Sequence, residues 1–264
     1  MLSYLIIIVA NLLVGGMIGL TGVAGFLLTI LYSGFMGMPA VQALALSFFA
    51  FLISGILGSW NYYRAKNLDL KLAMLISIGS LIGAVIGVRL NLLIDEAVVK
   101  RILYTVVLLS GISILLRKEA KAAPEPASSG DGTQRPGTSP GGKKSVPSAI
   151  YVLFGLVTGA VCALSGAGGP VLVMPLLVLM GVPVKTAVGV ALFDSIFIAI
   201  PSCVGYTLQC NLLSIAGVLA VSVVSHGVGV WIGSHNTAFL KPELLKKGVA
   251  VFSVAIAVVK LITG

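Results

Sequence analysis

Apolar residues fill almost the whole chain in long blocks, and short polar stretches punctuate them at near-regular intervals. Five blocks, 2–20, 26–36, 39–62, 68–90 and 97–116, precede a polar segment, and five more, 149–164, 170–180, 183–206, 212–232 and 244–262, follow it. Most approach the roughly 20 residues that a helix needs to cross a hydrocarbon core. No block alternates with the period of two that marks a barrel strand, so all are predicted to be helices, the form in which lipid-exposed backbone satisfies its own hydrogen bonds. The second block of each set differs. About 11 residues at about 1.5 Å each make only about 17 Å of helix, too short to span.

The two sets are copies. Leu20-Thr21-Gly22-Val23-Ala24-Gly25 aligns with Leu164-Ser165-Gly166-Ala167-Gly168-Gly169, and without a gap Gly37-Met38-Pro39 aligns with Gly181-Val182-Pro183. One shift of 144 residues, the separation of Gly22 from Gly166, also pairs Ala43 with Ala187, Asn67 with Asn211 and Gly83 with Gly227. An internal repeat of this kind governs the whole reading of a fold. The expected organisation is a first transmembrane repeat over 1–118, a flexible linker over 119–147 and a second transmembrane repeat over 148–264. The linker carries Pro124, Pro126, Gly130, Pro136, Gly141 and Gly142 with little that could form a core.

Charge sets the orientation. Charged residues are 9% of the chain, too few for an ordinary soluble domain, and the net charge of +9 lies in short clusters between apolar blocks. This is the distribution of cytoplasmic loops and gives no reason to expect nucleic acid. Arg64, Lys66 and Lys71 follow the third block of copy one, whereas the equivalent stretch of copy two is uncharged, so the copies are expected to have opposite orientations. Arg117, Lys118, Lys121, Lys143 and Lys144 put the linker in the cytoplasm, and both termini then fall outside. Arg89, Lys100 and Arg101 run against this scheme. The first block has neither a basic n-region nor an Ala-x-Ala site and is expected to persist as a membrane segment. Cys162, Cys203 and Cys210 share no ligand spacing, and neither metal nor cofactor is expected. The fold class is thus an all-α integral membrane protein of two inverted-topology repeats, with short or discontinuous helices after glycine-rich loops.

Interrupted hydrophobic segments at matching places in inverted repeats point to a transporter's binding site. Here the interruptions are Thr21-Gly22-Val23-Ala24-Gly25 and Ser165-Gly166-Ala167-Gly168-Gly169-Pro170. Each precedes a short helix whose first N–H groups lack intrahelical partners and whose dipole is positive at that end. Pro170 suits a first helical position. Two such starts facing each other would cradle a small anion, with Thr21, Gly22, Gly25, Ser165, Gly166, Gly168 and Gly169 as the binding residues and the Thr21 and Ser165 hydroxyls as added donors. The competing reading is that the glycines only let helices pack closely.

The stretch Leu164-Ser165-Gly166-Ala167-Gly168-Gly169-Pro170-Val171-Leu172-Val173-Met174-Pro175-Leu176-Leu177, continuing through Gly181-Val182-Pro183 to Ala187-Val188-Gly189-Val190-Ala191-Leu192-Phe193, resembles the sulfite exporter TauE/SafE family. The likeness covers both halves apart from the linker. Copy one departs from the motif, with Ala24-Gly25-Phe26 and Leu31 where copy two has Gly168-Gly169-Pro170 and Pro175. The resemblance implies secondary transport of sulfite, an organosulfonate such as sulfoacetate, or a related sulfur-containing anion across the bacterial inner membrane.

Asp194 lies near the middle of the block 183–206, where a charge costs about 2.5–3.5 kcal/mol. It is a candidate proton carrier, with a hydrogen-bonded structural acid as the alternative. His226, in the next block, could share that proton or simply pack among Gly227 and Gly229. Gln42 near the start of its helix is a candidate substrate contact, and Trp60, Tyr62 and Tyr63 beside Arg64 form an interfacial anchor. Export of an anion runs downhill by about 2.3 kcal/mol per charge per 100 mV of inside-negative potential. Two other classes compete: an anion channel, and an intramembrane serine hydrolase built on Ser165 and His226. Thr21 at the repeat-equivalent of Ser165 counts against the hydrolase, and the chain is read as no enzyme.

Overall fold

The computed structural model describes residues 2–21, 24–115 and 147–235, with isolated positions between 251 and 262. Gly22, nearly all of the linker 119–147 and most of the last apolar block 244–262 lie outside the described residues. Nine helices run in the order α1 (Leu2–Thr21), α2 (Phe26–Ile30), α3 (Ala40–Arg64), α4 (Leu70–Leu93), α5 (Glu96–Leu115), α6 (Ser148–Ser165), α7 (Gly169–Leu179), α8 (Val184–Thr207) and α9 (Leu212–His235) among the described residues. A π-helical turn, Leu31–Phe35, prolongs α2. Among the described residues six helices, α1, α3, α4, α6, α8 and α9, are long and apolar enough to cross a membrane.

Polarity is arranged for a lipid solvent. Leu13, Ile82, Val224 and Trp231 are exposed on the outer faces, while Asn11, Ser77, Asp194 and His226 are fully buried. Patches of large apolar side chains on this scale are foreign to the surface of a soluble monomer.

Helix boundaries follow local chemistry. Asp69 caps α4 by accepting from the Leu72 N–H at 3.0 Å, and Pro39, Pro147 and Pro183 stand just before α3, α6 and α8. These stops suit residues that have no N–H to offer an intrahelical bond.

The halves are interleaved rather than side by side. The main pairings are α1 with α9, α4 with α6 and α3 with α8, and exchanging the halves converts the first pairing into the second and the third into itself. Glycines make the first two. A methyl built on Gly79 would fall on the Val152 carbonyl, one on Gly83 on that of Leu156, and one on Gly87 on that of Ala160. Gly155 and Gly159 answer from α6, meeting the backbone of Ile76 and Ser80. Gly15, Gly19, Gly229 and Gly233 do the same for α1 and α9. Glycines four apart let two backbones touch without side chains between them, the close packing that membrane helices use for association. In both seams the contacts advance together along the two helices, so the partners run parallel.

α3 and α8, which are equivalents in the repeat, run antiparallel. Phe48 stacks on Tyr206 with ring centroids 5.7 Å apart, whereas farther along α3 the space at Gly189, near the start of α8, is bounded by Tyr62.

The short helices do not cross. Gly25, at the start of α2, lies against Phe51, and one turn on the Thr29 hydroxyl reaches Ser47 Oγ at 3.1 Å. Gly169, at the start of α7, lies against Ser195 and Ile198. Each short helix therefore begins level with the middle of the long helix that follows and runs back antiparallel to that helix's first residue.

Candidate functional site

The turn between α6 and α7 is assembled from its own small residues. Gly166 takes a left-handed conformation, φ 72°, that ends α6 and lets its N–H reach the Cys162 carbonyl at 2.9 Å. Gly168 follows with φ 78°, and Pro170 then occupies the first turn of α7. A helix broken inside a protein leaves carbonyls that need donors. Here Tyr206 of α8 donates to the Ala163 carbonyl at 2.7 Å, Asn91 of α4 to Leu164 at 2.6 Å, and Thr29 of α2 to Gly166 at 2.8 Å. The last two bonds cross from one half to the other. With the carbonyl side so occupied, Pro170 lacking an N–H and the Val171 N–H bonded to the Gly168 carbonyl at 3.3 Å, the Gly168 and Gly169 N–H groups are the donors this turn offers a ligand.

Ser165 serves the turn itself. Its hydroxyl donates to the Val161 carbonyl at 2.7 Å and accepts from the Ala167 N–H at 3.3 Å. A hydroxyl has one hydrogen, so in this state Ser165 has none left for an anion.

The matching turn of copy one meets the first across a single aromatic ring. A methyl on Gly25 would lie 2.5 Å from Phe51 Cε1, and one on Gly168 would lie 3.2 Å from Phe51 Cε2. The two glycine turns thus bracket opposite edges of one ring, which packs edge-on against Phe48 with centroids 5.5 Å apart. A small cleft with room for about one water molecule adjoins this contact and is lined by Ile18, Gly25, Phe51 and Ser54 of the first half and by Gly168 and Ser195 of the second. Among the described residues, no charged side chain lines it.

Sequence reasoning singled out neither Phe51 nor Ser54 nor Ser195. A signal was there, because the shift of 144 residues that aligns the halves maps Phe51 onto Ser195.

The remaining candidates fall unevenly around this centre. Gly25, Gly166, Gly168 and Gly169 are together at the turns. The Thr21 backbone ends α1, but its side chain and all of Gly22 lie outside the described residues. Gln42 is near the start of α3, nine residues and about 13 Å of helix rise before Phe51, and is not brought to the cavity. His226 is fully buried and its Nε2 lies 2.7 Å from Ser54 Oγ, one side chain away from the cavity. It makes no contact with Ser165, whose hydroxyl points back along α6.

Asp194 and His226 do not form the expected pair. Asp194 faces Ser77 and Ser80 of α4 and the Cys162 thiol of α6, whereas His226 faces Ser54 of α3 and the backbone of Asn11 in α1. The two groups therefore sit in different helix seams. Periodicity alone cannot tell which side of a fully apolar helix meets which seam.

A buried polar cluster stands behind His226. Asn11 Nδ2 donates to the Tyr32 hydroxyl at 2.8 Å, and that hydroxyl donates to Ser222 Oγ at 2.8 Å. Tyr32 belongs to the π-helical turn, so this cluster joins the end of the first short helix to α1 and α9.

Comparison with known proteins bears on this arrangement. A sequence model of the family described as "Sulfite exporter TauE/SafE" matches residues 4–259. A protein of Bacillus subtilis (strain 168), described as "Probable membrane transporter protein YdhB", is 24% identical over 255 residues, covering 93% of this chain and 95% of its own length. No solved structure matches.

Proposed function

This chain belongs to the sulfite exporter TauE/SafE family, and on that premise we propose that it is a secondary transporter that exports a small sulfur-containing anion, of the sulfite or organosulfonate type such as sulfoacetate, across the bacterial inner membrane. The observation that carries the proposal is the meeting of the two glycine turns, one from each half, at the edges of Phe51 beside a shared cavity.

An anion in that cavity is held without a full positive charge. The Gly168 and Gly169 N–H groups and the positive end of the α7 dipole attract it. Ser54 and Ser195 stand on the lining; their hydroxyls donate to the Ala50 and Leu192 carbonyls at 2.8 Å and 2.7 Å in this state and would turn toward the anion on binding. Gly166, Gly168 and Gly169 keep the backbone close to the ligand, Ser165 shapes their turn, and Gly25 stands on the opposing wall, with Thr21 and Gly22, which precede it in sequence, as further binding residues. Neutral donors suit a carrier, because a site that bound an anion through Lys or Arg would release it slowly.

The inverted orientation of the halves is part of this proposal. The antiparallel run of α3 and α8 supports it, since equivalent helices then cross in opposite senses. The linker 119–147 is cytoplasmic in this scheme. Export draws on the membrane potential, about 2.3 kcal/mol per charge per 100 mV. His226, through Ser54, and Asp194, through the adjoining Ser195, are the groups able to respond to a coupling ion.

The test is flux into proteoliposomes of purified protein, with sulfite, sulfoacetate, taurine and sulfate as the panel. Saturable flux of at least one sulfur-containing anion, competed by its relatives, is expected. Absence of flux for the whole panel would end the proposal, and flux that rises without saturation would replace the carrier with a channel.

A further inference from the structure

The seam where α4, α6 and α8 meet holds a second polar centre, distinct from the anion cavity. Asp194 is fully buried, and neither carboxylate oxygen has a hydrogen-bond partner among the described residues. Ser77, also fully buried, has an unpartnered hydroxyl. Helix packing accounts for their proximity. Gly205 of α8 rests on Val88 of α4, and Asp194 and Ser77 each lie eleven residues earlier on these two helices, which run parallel. Ser80, one turn beyond Ser77, donates its hydroxyl hydrogen to the Gly155 carbonyl of α6 at 3.1 Å, leaving its oxygen lone pairs uncommitted.

The donor set is four oxygens: two of a carboxylate, two of hydroxyls. Hard oxygens around one negative charge are what a small, hard cation takes as ligands. A carboxylate that hydrocarbon surrounds must be neutralised, and no basic side chain among the described residues acts on this one. The Ser77 and Ser80 hydroxyls lie close enough to act on the carboxylate, yet no well-formed hydrogen bond joins either to it, so the acid is flanked by oxygens that have not closed on it.

The neighbourhood ties this centre to the anion cavity. Ser195, next in sequence to Asp194, lines the cavity and touches the start of α7, with 3.2 Å between its Cα and a methyl built on Gly169. Cys162, which faces Asp194 from α6, donates its thiol hydrogen to the Gly168 carbonyl at 3.3 Å. A cation at Asp194 therefore acts on the same glycine turn that offers N–H groups to the anion. Opposite charges bound at adjacent sites favour each other, and that mutual preference is what couples two ions in a carrier.

We propose that Asp194, Ser77 and Ser80 form a binding site for a monovalent alkali cation, sodium in the first instance, that couples to the anion site through the Gly166–Gly169 turn. The proposal rests on the carrier reading above, but its test does not.

The experiment measures binding of radioactive sodium to the full-length protein in lipid nanodiscs, with choline as the background cation and no anion substrate present. Saturable binding is expected for the native chain, at least tenfold weaker binding for Asp194→Asn, and an intermediate loss for Ser77→Ala. Ser214→Ala, on the exposed start of α9, should bind like the native chain. Size-exclusion profiles verify that each variant is folded, and Ser77→Ala keeps the test decisive should Asp194→Asn fail to fold. Absence of saturable sodium binding overturns the proposal, as does binding that survives both substitutions. Melting curves that respond to pH and not to sodium overturn it too, assigning Asp194 to a proton instead. Because no anion is present, failure here leaves the anion proposal standing, while sodium binding without anion flux would remove only the latter.

Discussion

Phe51 and Ser195 hold the same position in the two halves, 144 residues apart in sequence, and line the same cavity. One contributes a ring and the other a hydroxyl to a framework that is otherwise nearly symmetric. The ring fills the gap between the glycine turns, so an anion contacting both turns must first displace it.

Phe51→Ala should therefore open the path. Flux in proteoliposomes is expected to rise several-fold and to admit bulkier organosulfonates, while the melting temperature falls because removing a buried ring costs about 3 kcal/mol. Unchanged rate and selectivity would mean that the ring is not in the path.

Gly168 has φ 78°, and a methyl there would also press on Phe51 at 3.2 Å. Gly168→Ala combines a backbone penalty of about 1–3 kcal/mol with a displaced turn. We expect folded protein whose anion flux falls at least tenfold. Full flux would show that the turn needs no glycine at this point.

The seam glycines should behave differently, through stability alone. A methyl on Gly83 would meet the Leu156 carbonyl, whereas Gly37, φ 64°, has nothing within 4 Å of such a methyl. Gly83→Ala should cost more than about 3 kcal/mol by forcing two backbones apart. Gly37→Ala should cost only the about 1–2 kcal/mol of a left-handed backbone. Thermal melts of the two variants in one detergent give the comparison, and equal losses would refute it.

Tyr32→Phe removes a hydroxyl that accepts from Asn11 and donates to Ser222. Losing both bonds in a buried cluster, with Asn11 Nδ2 keeping only its bond to the Ile7 carbonyl, should cost about 1–2 kcal/mol. A melting temperature equal to that of the native chain would mean that water or a rearranged Asn11 takes over the hydroxyl's role.

The reading of the sequence reached far for the halves and less far for the site. Duplication, the short helices and the glycine turns were visible because each is written locally, in block lengths and in a gap-free register. The bracketing of Phe51 by Gly25 and Gly168 was not, since it joins residues more than a hundred positions apart and depends on how two hairpins face each other. Asp194 and His226 could be singled out as charges in apolar blocks, but helices that are apolar all round carry no moment to say which seam each one enters. Glycines at 79, 83 and 87 mark packing by their spacing, and only three-dimensional proximity reveals that their partner is α6 of the other half.

The glycine seams also constrain how the protein can move. α1 is clasped to α9 and α4 to α6, backbone on backbone, so each repeat grips a helix of the other along its length. Sliding one repeat against the other would break both clasps at once. On the carrier proposal, alternating exposure of the cavity is then expected of the parts that lie outside both clasps, the two glycine turns and the short helices they begin.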